Sequence, residues 1–320
     1  MTKLKDVLII GGGPIGIACA LECKKKNLDY VVLEKGALTN SLFNYPLNMT
    51  FFSTSEKLEI DDIPFISNHP KPNRDEALEY YRRVATSNNL DINLYEKVLG
   101  IEKVNDLFVV TSEKRQYNAK NIIIASGFYD IPKLLDIPGE NLSKVNHYYK
   151  EAHPYSMQNV AIVGASNSAV DAALEIWRKG GHVTMIVRGS SIGDRVKYWV
   201  RPDIQNRIKE GSIKAYFNSE VQNIKPDKIT VKTPEGMTEI DNDYVVALTG
   251  YRPNFEFLKQ AGIALSEDNL IPTYNENTME SNVKGLYLAG VICGGMETHK
   301  WFIENSRIHA KVIVDHINSK

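Results

Sequence analysis

Two glycine-rich turns lie 153 residues apart, and each leads from a short apolar run into a helix-like stretch. No other feature constrains the fold of this 320-residue chain as strongly. The first is Gly11-x-Gly13-x-x-Gly16, entered from Val7-Leu8-Ile9-Ile10. The second is Gly164-x-x-x-x-Ala169, entered from Val160-Ala161-Ile162-Val163. A strand that turns through glycine into a helix leaves free N–H groups at the helix start, where a pyrophosphate can sit. One such unit holds one dinucleotide. Two point to an α/β chain with two Rossmann-like, three-layer dinucleotide-binding domains.

The first turn has the full context for this role. A helical run, Pro14 to Lys26, follows it. Gly11 permits the tight turn, Gly13 lets backbone approach the phosphates, and Gly16 lets helix pack on strand, with Pro14 and Ile15 completing the loop. The next strand, Tyr30-Val31-Val32-Leu33, ends in Glu34-Lys35. An acid at that point accepts from both ribose hydroxyls and repels a 2′-phosphate, which favours FAD or NAD over NADP. A bare glycine turn would not need strand, helix and acid to agree.

The second turn differs. Ser166 stands where glycine is usual, followed by Asn167 and Ser168, and its hydroxyl can donate to phosphate. The strand His182 to Val187 ends in Arg188-Gly189-Ser190-Ser191, without an acid. An arginine and two hydroxyls there suit a 2′-phosphate, so the expected coenzyme is NADPH. The plainer reading of Arg188, a solvated surface charge, takes no account of its place at the strand end.

A chain of this length exceeds one core and fits two domains. With 38 basic and 39 acidic residues, nothing calls for nucleic acid or a membrane surface. Lys24-Lys25-Lys26 reads as the solvated end of the first helix. Met1 to Asp6 carries no signal-peptide pattern, and no apolar run reaches about 18 residues. A cytoplasmic protein is expected. Three cysteines are too few for a disulfide scaffold, and none forms C-x-x-C or a metal-ligand cluster, so no metal is expected.

Between the fingerprints, Asn40 to Asn73 is polar and aromatic, with Asn44-Tyr45-Pro46 and Thr50-Phe51-Phe52-Ser53. A loop this long in an enzyme usually builds the site, and Tyr45, Thr50 and Phe52 are candidate contacts to a flat ligand. Arg74 to Thr86 reads as a helix, and Ile101 to Thr111 and Gln116 to Ala125 carry strand-like runs. The buried run Asn121 to Ile124 ends in Ala125-Ser126-Gly127, small residues suited to backbone passing a cofactor. Gly285 to Gly290 repeats that pattern before a final helix, Trp301 to Asn318. These boundaries give a discontinuous FAD domain, 1–130 plus 250–320, with an NADPH domain, 131–249, inserted and able to rotate on linkers near 130 and 250. Val98, Gly250, Gly290, Val291, Phe302 and Ile303 complete the candidate cofactor positions.

In this order, the pieces resemble the low-molecular-weight thioredoxin-reductase-like flavoproteins over essentially the whole chain. Within that group, the chain is most similar to bacillithiol disulfide reductases. The likeness rests on Asn44-Tyr45-Pro46, Thr50 to Ser53, His147-Tyr148-Tyr149-Lys150-Glu151-Ala152-His153-Pro154-Tyr155, Asn167-Ser168-Ala169, Gly250 to Pro253 and Phe302 to Asn305. It implies FAD, NADPH, a cytosolic homodimer or homotetramer, and reduction of a small-molecule disulfide. Two departures stand out. Thioredoxin reductases carry C-x-x-C before the second fingerprint, where this chain has Tyr148 to Tyr155 without cysteine. Bacillithiol disulfide reductases carry a cysteine in the first glycine loop, where this chain has Ile15. Either the chemistry differs or another cysteine serves.

Cys19 and Cys23, one turn apart on the first helix, read as packing residues. Cys293 is the candidate nucleophile, because Gly294 and Gly295 beside it would leave the sulfur open and its loop lies beside the first glycine loop. The plainer reading is a filler in that loop. In relatives an acid follows the glycine that here is Gly290, and Val291 replaces it, so backbone N–H groups must hold part of the flavin. His147, His153 and His299 are candidate proton donors, and the start of the final helix can stabilise charge at flavin N1. The second reading is an NADPH reductase of a small redox protein, ferredoxin or flavodoxin. The end at Asn318-Ser319-Lys320 lacks the aromatic extension such reductases carry. A flavin monooxygenase fits less well, since its Phe-x-Gly signature is missing before His147. A redox sensor without turnover is the non-enzymatic reading.

Overall fold

The computed structural model describes residues 3–320. The chain forms two compact units: residues through Asn44, Met49–Ile131 and Tyr251–Lys320 make the first, and Tyr45–Asn48 with Pro132–Gly250 make the second.

The first unit opens with strand β1 (Lys5–Ile10), helix α1 (Pro14–Lys25) and strand β2 (Tyr30–Leu33). β1 and β2 are parallel, with Ile10 opposite Leu33. Val7, Leu8 and Ile9 are fully buried, as a strand covered on both faces requires. Pro14 takes the first turn of α1, where its missing N–H has no intrahelical partner to lose. The stretch through Asn73 holds only two four-residue helices, Asn40–Phe43 and Ser55–Leu58. Helix α2 (Arg74–Ser87) starts at a capping box: Glu76 N–H donates to Asn73 and Asn73 N–H to Glu76, each at 2.9 Å.

Strands β3 (Ile92–Asn93), β4 (Val98–Val104), β5 (Leu107–Ser112) and β6 (Gln116–Ile124) follow. The strand-like stretch Ile101 to Thr111 folds as a hairpin of β4 and β5. Val104 faces Leu107 across Asn105-Asp106, and Asn105 has φ +55°, a turn conformation that asparagine tolerates.

The second unit carries β7 (Val145–Asn146), β8 (Asn159–Val163), α3 (Asn167–Arg178), β9 (His182–Ile186), α4 (Arg201–Lys209) and β10 (Lys214–Tyr216). An antiparallel meander follows, β11 (Glu220–Ile224), β12 (Lys228–Thr233) and β13 (Gly236–Asp241), then β14 (Tyr244–Ala247). The parallel sheet runs β10-β9-β8-β14-β7. Tyr149, Ala152 and Tyr155 share its core with Ile162, Val170 and Met185. The stretch that carries most of the family likeness therefore contributes to packing here.

Lys144 joins the meander to this sheet. Its buried ammonium donates to the carbonyls of Lys225, Pro226 and Asn242 and to Asn242 Oδ1, at 2.9–3.1 Å. Burial pushes its pKa below the ordinary lysine value, but four oxygens replace the lost water. Lys144→Met strands those acceptors and should lower unfolding stability by about 2–4 kcal/mol, on the scale of breaking a buried charged network. Chemical denaturation of the holoenzyme reads this, and an unchanged midpoint would count against it.

The chain returns to the first unit with β15 (Leu286–Leu288), then a 3₁₀ turn over Gly290–Gly294, helix α5 (Ile303–Ser306) and helix α6 (Ile308–Asn318). The first sheet runs β3-β2-β1-β6-β5-β4. The early part of β6 pairs with β5 and its end pairs with β15, Leu288 opposite Ile124. The helix expected from Trp301 starts at Ile303, because Phe302 N–H is capped by Asn305 Oδ1 at 2.7 Å, and Arg307 separates its two parts. Among the described residues, no helix is long and apolar enough to cross a membrane.

Candidate functional site: two dinucleotide cradles

The registers of β1, β6 and β15 bring the C-terminal ends of these strands side by side. In an open parallel sheet that edge is where ligands sit. Gly11 has φ +110°, and a Cβ there would lie 2.5 Å from Ala125 O, so the segment Ala125-Ser126-Gly127 fixes the residue as glycine. A Cβ on Gly16 would lie 1.8 Å from Gly11 O. Gly13 is different: apart from its chain neighbours, nothing comes within 4 Å of its absent Cβ. The space left there is what a pyrophosphate cradle requires. α1 has no side-chain cap, so its first N–H groups stay available.

Glu34 is 5 % exposed. Its Oε2 accepts from Gly12 N–H at 2.7 Å and its Oε1 from Gly36 N–H at 2.9 Å. Burial pushes its pKa up, while the N–H groups of Gly36 and Gly12 oppose that rise. Each oxygen keeps a lone pair for a ribose hydroxyl. These features fit the adenosine and pyrophosphate of FAD. Lys35 turns to Asp130, Nζ to Oδ2 at 2.6 Å, and Val98 is buried at the start of β4.

The aromatic loop is held by the end of the chain. Ser53 Oγ donates to Glu304 Oε1 at 2.7 Å, and the Arg307 guanidinium donates to the carbonyls of Glu59 and Glu56. Thr50 bridges Asn73, while Phe52 and Phe302 stay half exposed. Ile303 begins α5. Tyr45 clusters with the second unit, where Leu47 N–H donates to Lys150 O at 2.9 Å. Glu304 and Arg307 were not among the sequence candidates, because contacts across some 250 positions leave no local pattern.

Gly290 and Val291 open the 3₁₀ turn, and a Cβ on Gly290 would meet Ile15 Cγ1 at 3.3 Å. The neighbour of Ile15 identified by this contact is thus Gly290. The open sulfur expected at Cys293 is corrected by the structure: the side chain is 0 % exposed, and burial drives its thiol pKa up. Its flanking glycines do not uncover it. Gly295 packs against the carbonyls of Asn269 and Leu270, and Gly294 against Lys300 and Trp301. Cys19 and Cys23 are also buried. His147 pairs with Glu140, Nε2 to Oε1 at 3.4 Å, while His153 and His299 are exposed.

The second cradle repeats the first. Gly164 has φ +131°, and its Cβ would lie 2.6 Å from Leu248 O. Ser166 and Ser168 are exposed at the start of α3, and Ala169 packs beneath the turn. Arg188 is exposed just beyond β9, and Gly250, with φ +98°, follows β14. Asn167, expected to touch coenzyme, spends its side chain otherwise. Its Nδ2 donates to Arg195 O at 3.1 Å and its Oδ1 accepts from Lys197 N–H at 2.8 Å. Gly193 N–H to Ala165 O and Lys197 Nζ to Asp171 Oδ2, at 2.7 Å for the latter, complete a strap over the glycine loop. The strap carries Arg195, exposed, near the strand end.

Two cradles, one ending in a carboxylate and the other in an arginine, define an oxidoreductase that works with two dinucleotides. The chain belongs to the pyridine nucleotide-disulphide oxidoreductase family, whose model matches residues 8–290. It is 41 % identical over 307 residues to the bacilliredoxin reductase Bdr of Bacillus subtilis (strain 168), covering 95 % of each chain. Its fold is similar to bacillithiol disulfide reductase Bdr (YpdA) from Staphylococcus aureus, with TM-score 0.96, 40 % identity and coverage of 100 % and 99 %. A more distant relative, a ferredoxin–NADP reductase of Ignicoccus hospitalis (strain KIN4/I / DSM 18386 / JCM 14125), is 25 % identical over 90 % of each chain. The protein is thus a flavoprotein disulfide oxidoreductase of thioredoxin-reductase-like fold that uses FAD and NAD(P)H.

Proposed function

We propose that the enzyme uses NADPH to reduce a low-molecular-weight thiol disulfide of the bacillithiol type. The observation that carries this is the contrast between the two strand ends, Glu34 held by Gly12 and Gly36 against exposed Arg188, in a chain 41 % identical to a bacilliredoxin reductase. FAD supplies two-electron transfer between coenzyme and disulfide. The balance is NADPH, one proton and one disulfide giving NADP⁺ and two thiols. In this reading, Gly11 to Gly16 and Glu34 hold FAD, and Gly164 to Ala169 with Arg188 hold NADPH. The Ser53–Glu304 and Arg307 ties keep the aromatic loop in place.

The test is anaerobic NADPH titration of the purified protein, followed by disulfide and protein acceptors. Turnover with bacillithiol disulfide supports the reading. Turnover with ferredoxin or flavodoxin alone would replace it with the carrier-reductase reading, which the Ignicoccus relative favours. Since Cys293 is sealed, Cys293→Ser should leave disulfide reduction within about twofold of the parent, because an inaccessible, high-pKa thiol is a poor nucleophile. Loss of disulfide reduction with oxygen reduction intact would restore Cys293 as the nucleophile.

A further inference from the structure

One buried polar side chain beside the first cradle has no part in the account so far. His309 lies in the first turn of α6 and is 3 % exposed. Its Nδ1 accepts from Gly290 N–H at 3.2 Å. The Trp301 ring packs edge-on against the imidazole, centroids 4.6 Å apart, which fixes the ring plane. Burial pushes the His309 pKa down to about 4, so the ring is neutral at ordinary pH. With Nδ1 accepting, the single proton sits on Nε2. Nε2 makes no hydrogen bond among the described residues, and it is not among the side-chain atoms that are both shut from solvent and unpartnered, so its N–H reaches open space. A donor that opens from an otherwise buried ring is satisfied there by water or by a ligand.

The position narrows what the acceptor is. Gly290 lies two residues beyond Leu288, the end of the strand that pairs with β6, and β6 pairs with β1, so the turn stands at the same sheet edge as Gly11 to Gly13. Gly290 also touches Ile15, within the loop whose Gly13 leaves space open. We infer that His309 binds the flavin dinucleotide: Nδ1 holds the Gly290 turn while Nε2–H donates to an oxygen of the bound FAD. A dinucleotide offers two oxygen-rich parts, the pyrophosphate and the ribityl chain, and both would accept a neutral donor. The inference rests on FAD occupying the first cradle.

Two substitutions separate anchoring from donation. Asparagine places an amide where Nδ1 lies and can hold Gly290 without reaching further. Glutamine carries its amide one bond further, where Nε2 lies. FAD release from the holoenzyme is followed by the rise in flavin fluorescence on dilution. His309→Asn should release FAD at least tenfold faster than the parent, and His309→Gln should stay within about threefold, given the weight of one hydrogen bond to a charged or polar ligand. Competition by ADP, which carries the pyrophosphate without the ribityl chain, locates the contact. Weaker competition in His309→Asn assigns the pyrophosphate, and unchanged competition assigns the ribityl chain. Release from His309→Asn at the parental rate would overturn the inference, as would equal acceleration in both variants, which would mark His309 as packing alone. A parent protein purified without FAD would instead refute the cradle assignment.

Discussion

Gly16→Ala is expected to yield a protein with little or no bound flavin. The added methyl would lie 1.8 Å from Gly11 O, and Gly11 is itself wedged against Ala125 O. Both obstacles are backbone, so α1 must lift from the sheet and carry its first N–H groups away from the phosphates. A loss of about 3 kcal/mol in binding corresponds to a hundredfold or more in affinity. The flavin-to-protein absorbance ratio after gel filtration measures it, and a full complement of FAD would refute it. Gly13→Ala gives the contrast. Nothing in the protein opposes that methyl, so the unfolding midpoint of the flavin-free protein should hold while flavin binding weakens. If Gly13→Ala instead binds FAD normally, the pyrophosphate does not pass Gly13.

The second large effect is expected at Arg188. Arg188→Ala should raise the KM for NADPH roughly ten- to a hundredfold and spare NADH, because one charge-assisted phosphate contact is worth about 1.5–3 kcal/mol. Steady-state kinetics with both coenzymes read the effect directly. Equal KM values for NADPH and NADH in the parent would remove the basis of the assignment. Arg195 is the natural second contributor, since Asn167 holds both its carbonyl and the N–H of Lys197, two positions on.

Much of this was legible in the sequence because strand, glycine turn and acid are local patterns. Gly11, Gly16 and Gly164 are glycine for steric reasons that spacing alone conveys. The structural role of the Asn167 side chain left no trace, because its place in a fingerprint said nothing of the strap 28 residues on. Cys293 was misread because adjacent glycines look open in sequence, whereas in the fold its side chain is fully buried, with Asn269 and Leu270 against Gly295 and Lys300 and Trp301 against Gly294. His309 was missed, yet it left a signal. It interrupts the apolar stripe of Ala310, Ile313, Val314 and Ile317 with a polar ring on the buried side of α6. The Ser53–Glu304 and Arg307 ties had no such trace, since only the folded chain brings those positions together.

The Asn167 strap also bears on the kinetics of coenzyme entry. A loop already ordered by its own amide and ammonium contacts has no disorder left to surrender when a ligand arrives. Ordering of this loop should therefore add no slow phase to coenzyme association at this cradle. Discrimination between coenzymes would then reside in how long each one stays.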